Sequence, residues 1–481
     1  RSSSLIIAIS TSGSSRFSTC GGPLILSGGF IMTLSKILAD FVVNCESFSD
    51  EALYLAKKSI IDSMGAMIIG SKTHLAEKAE YMAGRDGSAT IVGFGDGYTA
   101  KDAAFANGIS GHELELDDTS SSNLGHPTIA VLPSLLAIGE ETGADGMKLL
   151  KSFLLATEVE CKIGRICAKY LHERGWHASS ITGVIGAAAG CGYLLGQSAA
   201  KISDSIGIAA SMASGVRENF GTATKSIHIG KTCQDGVHAA QLSQAGFDSS
   251  PSALDGKEGY LFEYSTHRFG EFGEDFAKTL GNDWDVCSPG FAIKRYPSCS
   301  SSHRAVDGLI ALIEAEKLTA GDIERIAVGL SKPAMRELVT PYPENGEEAK
   351  FSIGFQIALY LNGIENMPEN YTPDVISRPE IQGLIQKTVM YNKEEYDDLP
   401  SDMGVGPAFI TIETKDGRSF FKEQVYPVGH LTNPMSDLQI HEKYMKCAVK
   451  AIGAENAQTL YDMLFSLENV RDIKEVMKLT Y

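Results

Sequence analysis

The chain has 481 residues, 43% hydrophobic and 21% charged, an ordinary globular composition that is too long for one compact core, so at least two domains are expected. Its 42 Lys and Arg stand against 60 Asp and Glu, a formal charge of −18. That field repels phosphate backbones and anionic membrane surfaces, which argues against nucleic acid and membrane as partners. Nine cysteines without C-x-x-C or finger-like spacing support neither a disulfide scaffold nor a structural zinc site, and point to a reduced, cytoplasmic protein with mostly buried thiols.

Residues 1–31 are crowded with Ser and Gly around two short apolar patches, Leu5 to Ile9 and Pro23 to Leu26. They read as a leader ahead of a native start at Met32, and fold reasoning begins there. From Leu34 the apolar spacing is helical: Ile37, Leu38, Phe41, Val42 and Cys45 share one face, and after the Ser49/Asp50 cap signal Leu53, Ala56, Ile60, Met64 and Met67 share another until Gly70. Ala89 to Val92 predicts a short strand. The Gly93-Phe94-Gly95-Asp96-Gly97 loop that follows resembles a phosphate cradle, but its third glycine is misplaced for a dinucleotide fingerprint.

Ile181 to Ala200 has no charged side chain and carries Gly186-Ala187-Ala188-Ala189-Gly190. A membrane helix is weighed and set aside, because comparable spans and basic flanking loops are missing. The stretch, with Ile202 to Gly215 after it, predicts a tightly packed helix pair at the centre of an all-helical domain. After about Asp285 the signals alternate. A helix around Ala305 to Ile313, a strand at Ile323 to Leu330, a helix at Ile353 to Leu361 and a hairpin, Phe409 to Thr414 and Ser419 to Gln424 about an Asp416-Gly417 turn, describe a small α+β domain. Beyond Pro427 the chain turns helical again and is expected to rejoin the first domain. The fold class is therefore mainly α, with an all-helical domain at 32–285 plus 428–481 and an α+β lid domain inserted at 286–427.

Chemistry concentrates in four places. In Glu115-Leu116-Asp117-Asp118-Thr119, followed by His126-Pro127, three acids in four residues repel one another unless hydrogen-bonded or offset by cations. Helix caps are the plain explanation, and a divalent metal site from Glu115, Asp117, Asp118 and His126 is a second one. Next come Trp176-His177, then Arg217-Glu218-Asn219 running into Lys225, His228 and Lys231, and last Lys294-Arg295-Tyr296-Pro297. A lysine among small apolar residues needs a negative partner or loses its charge. Cations in two clusters of an acidic protein, with acids and imidazoles beside them, suggest a pocket for a small polycarboxylate, whose adjacent carbon exchanges a proton with a histidine or lysine. No redox cofactor is needed. The competing class is a non-enzymatic helical interaction protein in which these charges are caps and turns.

These motifs, with Arg217-Glu218-Asn219-Phe220-Gly221-Thr222-Ala223-Thr224-Lys225-Ser226-Ile227-His228-Ile229-Gly230 and Asn433-Pro434-Met435-Ser436, resemble the MmgE/PrpD family from Met32 to Tyr481. The resemblance implies a helical domain interrupted by a lid, a homodimer, and metal-independent chemistry on di- or tricarboxylic acids by a dehydratase, decarboxylase or epimerase. It places the active site on Glu115, Thr119, His126, His177, Lys225 and Lys294. Two departures stand out: Glu115 replaces the family's first aspartate, and Phe355 falls where decarboxylase members carry tyrosine. The leading expectation is an isomerase that epimerises iminodisuccinate, with His126 on one face of the carbon and Lys225 or His177 on the other. Glu115 and Thr119 orient the histidine, and Lys294, Arg295, Arg217, Asp117, Asp118 and His228 contact substrate. A lyase of the same family is the alternative.

Overall fold

The computed structural model describes residues 32–265, 274–398 and 406–481, so the leader reading lies outside the described residues. Two amphipathic helices open the chain: α1 (Leu34–Asn44) and α2 (Asp50–Gly70), the latter capped by Ser49, whose side chain accepts from the Ala52 amide. After α3 (His74–Met82), strands β1 (Ala89–Ile91) and β2 (Gly95–Tyr98) pair antiparallel. The glycine loop between them is thus a hairpin turn, with Gly93, Gly95 and Gly97 at φ of 82°, 121° and 94°, and the Gly93 amide is taken up by the Thr480 carbonyl rather than by a phosphate.

Helices α4 (Ala100–Glu113), α5 (Pro127–Thr142), α6 (Gly146–Glu173), α7 (Ala178–Leu194), α8 (Ala199–Ala210) and α9 (Ala223–Ala245) build the main core. The uncharged α7 is buried on nearly every side, as a helix apolar all round must be. Its small residues let neighbours touch: a Cβ on Gly186 would lie 2.5 Å from the Ala156 carbonyl oxygen of α6, and one on Gly236 of α9 would lie 2.4 Å from the Ala187 side chain. Among the described residues no helix is long and apolar enough to cross a membrane.

A second core lies on a four-stranded sheet. It comprises α10 (Ser300–Glu316), β3 (Ile323–Leu330), α11 (Ile353–Leu361), α12 (Pro379–Lys387), β4 (Thr388–Asn392), β5 (Ala408–Thr414) and β6 (Ser419–Gln424), in strand order β4-β3-β5-β6. The β5–β6 hairpin closes with Glu413 opposite Ser419 and Gly417 at φ 85°. Strand β4, parallel to β3, escapes the sequence reading because it is an edge strand whose last residues are exposed, so its apolar alternation is lost. Helices α13 (Asp437–Ile452) and α14 (Ala454–Phe465) return to the first core, where Tyr444 packs across Gly65 of α2.

The chain passes between the two cores at two places that lie side by side. The Ile293 amide donates to the Gly429 carbonyl at 3.0 Å. Gly429 has φ 95°, and a Cβ there would sit 1.9 Å from the Ile293 oxygen, so only glycine is accommodated. On its other side this crossing pairs with the acidic loop: Thr119 and Ala292 exchange both backbone hydrogen bonds, at 2.9 and 2.7 Å. That pairing carries Lys294 to the acids.

Candidate active site

The acidic loop spans the gap between α4 and α5. Its first acid, Glu115, has φ 55°, a left-handed conformation that costs a non-glycine residue about 1 kcal/mol. The turn aims its carboxylate inward, where Oε2 accepts from Lys294 Nζ at 2.8 Å and Oε1 contacts Lys225 Nζ. Glu115, Lys225 and Lys294 are all buried. Lys225 stands in the first turn of α9, where the exposed amide ends of the helix add positive potential, and its ammonium lies 5.1 Å from the Phe220 ring centre. Burial and then the Lys294 charge bring the Lys225 ammonium down to about 7, and burial lowers Lys294 as well. Two buried cations on one carboxylate form a seat for carboxylates.

Asp117 points the other way. Its Oδ2 accepts from His112 Nδ1 at 2.7 Å and lies 3.0 Å from His126 Nδ1. Burial pushes this carboxyl up, yet the two imidazoles outweigh it and hold the group well below its usual range. Burial holds His112 well below 6.5, with Lys225 adding to the effect. With Nδ1 turned to Asp117, His126 presents Nε2 outward, and it keeps 12% side-chain exposure. Ring contacts extend the cluster: His112 lies 4.6 Å from His126 and 5.6 Å from His177, and His177 shares an Nδ1 to Nδ1 contact of 3.2 Å with His228. Phe220 joins the two halves, 5.0 Å from His177 and against Lys225.

Several assigned roles change. Asp118 is fully buried and receives the amide and hydroxyl of Thr128. It starts α5 rather than touching substrate, and burial raises it to about 7. Asp117 is consumed by the histidines, so it positions rather than binds. Arg295 is a correction too: its guanidinium pairs with Asp307 at 3.5 Å and lies over Tyr296, with 43% side-chain exposure, because the residue after inward-facing Lys294 turns outward. Arg217 donates to the His172 carbonyl at 3.0 Å and reaches the cluster only through the Phe220 ring. Thr119 acts through its backbone pairing with Ala292. The four-ligand metal arrangement fails as drawn, since Glu115 faces the lysines and Asp118 faces Thr128.

Two residues without an assigned role belong here. His112 stands five residues before Asp117, at the last turn of α4; a histidine just ahead of an acid run was the available signal. Lys443 of α13 donates to the Leu116 carbonyl at 2.7 Å while paired with buried Asp62, and nothing local in sequence marks a partner 327 residues away. A cavity of about 70 Å³ is lined by Leu114, Pro297, Glu347, Lys350 and Tyr371 and by none of Glu115, Lys225 and Lys294. Phe355, where a tyrosine was expected, is fully buried with its ring 5.0 Å from that of Tyr371. A larger hollow of about 660 Å³, lined by Trp176, Met212, Tyr260 and Tyr264, holds none of the residues of the lysine seat or the histidine cluster.

Comparison with known proteins identifies the family. Residues 36–270 match the MmgE/PrpD N-terminal domain and residues 296–468 the MmgE/PrpD C-terminal domain. The chain is 28% identical over 442 residues to the cis-aconitate decarboxylase of Homo sapiens, covering 88% of this chain and 89% of that protein. It is 27% identical over 448 residues to that of Mus musculus, with 90% and 89% covered, and 23% identical over 458 residues to that of Aspergillus terreus, with 90% and 92% covered. The protein is an enzyme of the MmgE/PrpD family.

Proposed function

We propose that this enzyme is a lyase that decarboxylates a small unsaturated tricarboxylate of the cis-aconitate type. The observation that carries the reading is the convergence of Lys225 from α9 and Lys294 from the inter-core crossing on a single buried carboxylate next to a contiguous imidazole cluster. Substrate carboxylates take the place of the Glu115 carboxylate on the two ammonium groups. The bond from the saturated carbon to its carboxylate breaks, carbon dioxide leaves, and the electron pair moves through the adjacent double bond. The far carbon then takes one proton, which His126 Nε2 supplies from beside Asp117, whose Oδ2 lies 3.0 Å from Nδ1. The balance is a trianion plus a proton giving a dianion and carbon dioxide, with no change of redox state. Fixed cations stabilise the allylic charge as it develops.

The expected epimerisation needs proton-exchanging groups on opposite faces of one carbon. The relatives named above support the lyase alternative instead. Incubation of the purified enzyme in deuterated water with cis-aconitate, iminodisuccinate and 2-methylcitrate separates the readings. Decarboxylation predicts carbon dioxide and one carbon-bound deuterium per product molecule. Exchange into iminodisuccinate without carbon dioxide establishes the epimerase, and loss of water from 2-methylcitrate the dehydratase.

A further inference from the structure

Three touching residues each keep one buried polar atom without a hydrogen-bond partner: His112 Nε2, Asp117 Oδ1 and His126 Nδ1. Such atoms are rare because each forfeits its hydration for nothing. His112 is 1% exposed and Asp117 is fully buried, and the three residues offer ligand atoms that lie within 4.8 Å of one another. His112 Nδ1 is aligned on Asp117 Oδ2, whereas His126 Nδ1, though only 3.0 Å from that oxygen, is not. An imidazole lone pair facing a carboxylate oxygen is repulsive unless a positive charge stands between them.

Two histidines and a carboxylate are a ligand set that zinc takes in open, four-coordinate sites, whereas magnesium and calcium require oxygen cages. Zinc with bonds of about 2.0–2.1 Å sets tetrahedral ligand atoms about 3.3 Å apart. The present contacts of 2.7 and 3.0 Å to Asp117 Oδ2 open by about 0.3–0.6 Å to reach that spacing, and every ligand atom of the set lies within 4.8 Å of the others. We propose that His112, Asp117 and His126 form an inhibitory site for a divalent ion of the zinc type, which leaves its fourth position open. The bound ion takes the Asp117 contact that orients the proton donor, and so stops turnover without occupying the lysine seat.

The test is read without substrate, so its failure is distinct from a wrong reaction. The full-length enzyme, stripped with chelator, is titrated with cobalt(II) and with zinc in a non-coordinating buffer. One equivalent is expected to give the visible ligand-field absorption of four-coordinate cobalt. Asp117→Asn and His112→Ala are expected to weaken binding beyond the 10–100-fold that loss of an outer partner costs, and His74→Ala, on the surface beside Glu77, to leave it unchanged. Zinc is expected to inhibit turnover at least tenfold, reversibly with chelator. X-ray absorption of the zinc-loaded wild-type protein, which depends on no variant, should show only nitrogen and oxygen neighbours. A sulfur shell, an unaltered cobalt spectrum in Asp117→Asn, or magnesium binding as tightly as zinc each overturns the proposal.

Discussion

Replacing Asp117 by asparagine removes the charge that accepts from His112 Nδ1 at 2.7 Å and lies 3.0 Å from His126 Nδ1. An amide there presents a donor or a weaker acceptor, so the His126 ring loses the partner that turns its Nε2 outward. A hydrogen bond to a charged group is worth about 1.5–3 kcal/mol, and loss of the one to His112 corresponds to a fall in kcat of about 10–150-fold. An orienting aspartate in a serine-protease triad, lost in the same way, costs about 10⁴-fold. Because Lys225 and Lys294 remain in place, KM should change by no more than about threefold, within the uniform-binding expectation. The assay is carbon dioxide release from cis-aconitate under steady-state conditions, with circular dichroism to confirm folding. A folded variant whose kcat falls less than about tenfold, or whose whole loss appears in KM, refutes the assignment of Asp117 to the proton donor.

Lys225 must be an ammonium to hold a carboxylate, and burial with the Lys294 charge brings it to about 7, so kcat/KM should fall as pH rises through 7. Activity that keeps climbing to pH 9 contradicts this. The same depression means that between about 7 and 10.4 the unfolded chain holds a proton the folded chain has released, so this group's contribution to stability rises with pH there, as chemical denaturation of wild type against Lys225→Met should show. Lys294→Met should lower kcat/KM about 10–100-fold, the worth of one charged hydrogen bond, with the larger share in KM. Gly125→Ala places a Cβ 2.4 Å from Ser179 Oγ and 3.0 Å from its amide nitrogen, next to the bond that Ser179 makes to the His126 amide. It should cost about 1–3 kcal/mol of stability by thermal unfolding, and lower kcat through displacement of His126.

The mainly helical fold was legible because it rests on local signals: the 3.6-residue apolar spacing of α1 and α2, the Ser49 cap, the chargeless run of α7 and the Asp416-Gly417 turn all act within a few residues. Edge strand β4 was not, since it is short and its last two residues are exposed. The composition of the site was legible for the same reason, as Lys225, Lys294, Glu115 and the histidines stand in dense, unusual local clusters. Their partnerships were not. Glu115 and Lys294 are 179 residues apart, and only the backbone pairing of Thr119 with Ala292 joins them, while the direction of Arg295 depends on Asp307 beside it.

The sequence alone determined which residue types were available: buried-type lysines, clustered acids and imidazoles in a helical enzyme of this family. Tertiary structure decided which acid neutralises the lysines, which orients histidine and which only caps a helix, because three carboxylates within four residues are chemically alike until the chain turns them in different directions. The left-handed turn at Glu115 and the Lys443 contact on the Leu116 carbonyl set those directions, and both are supported by packing against distant segments.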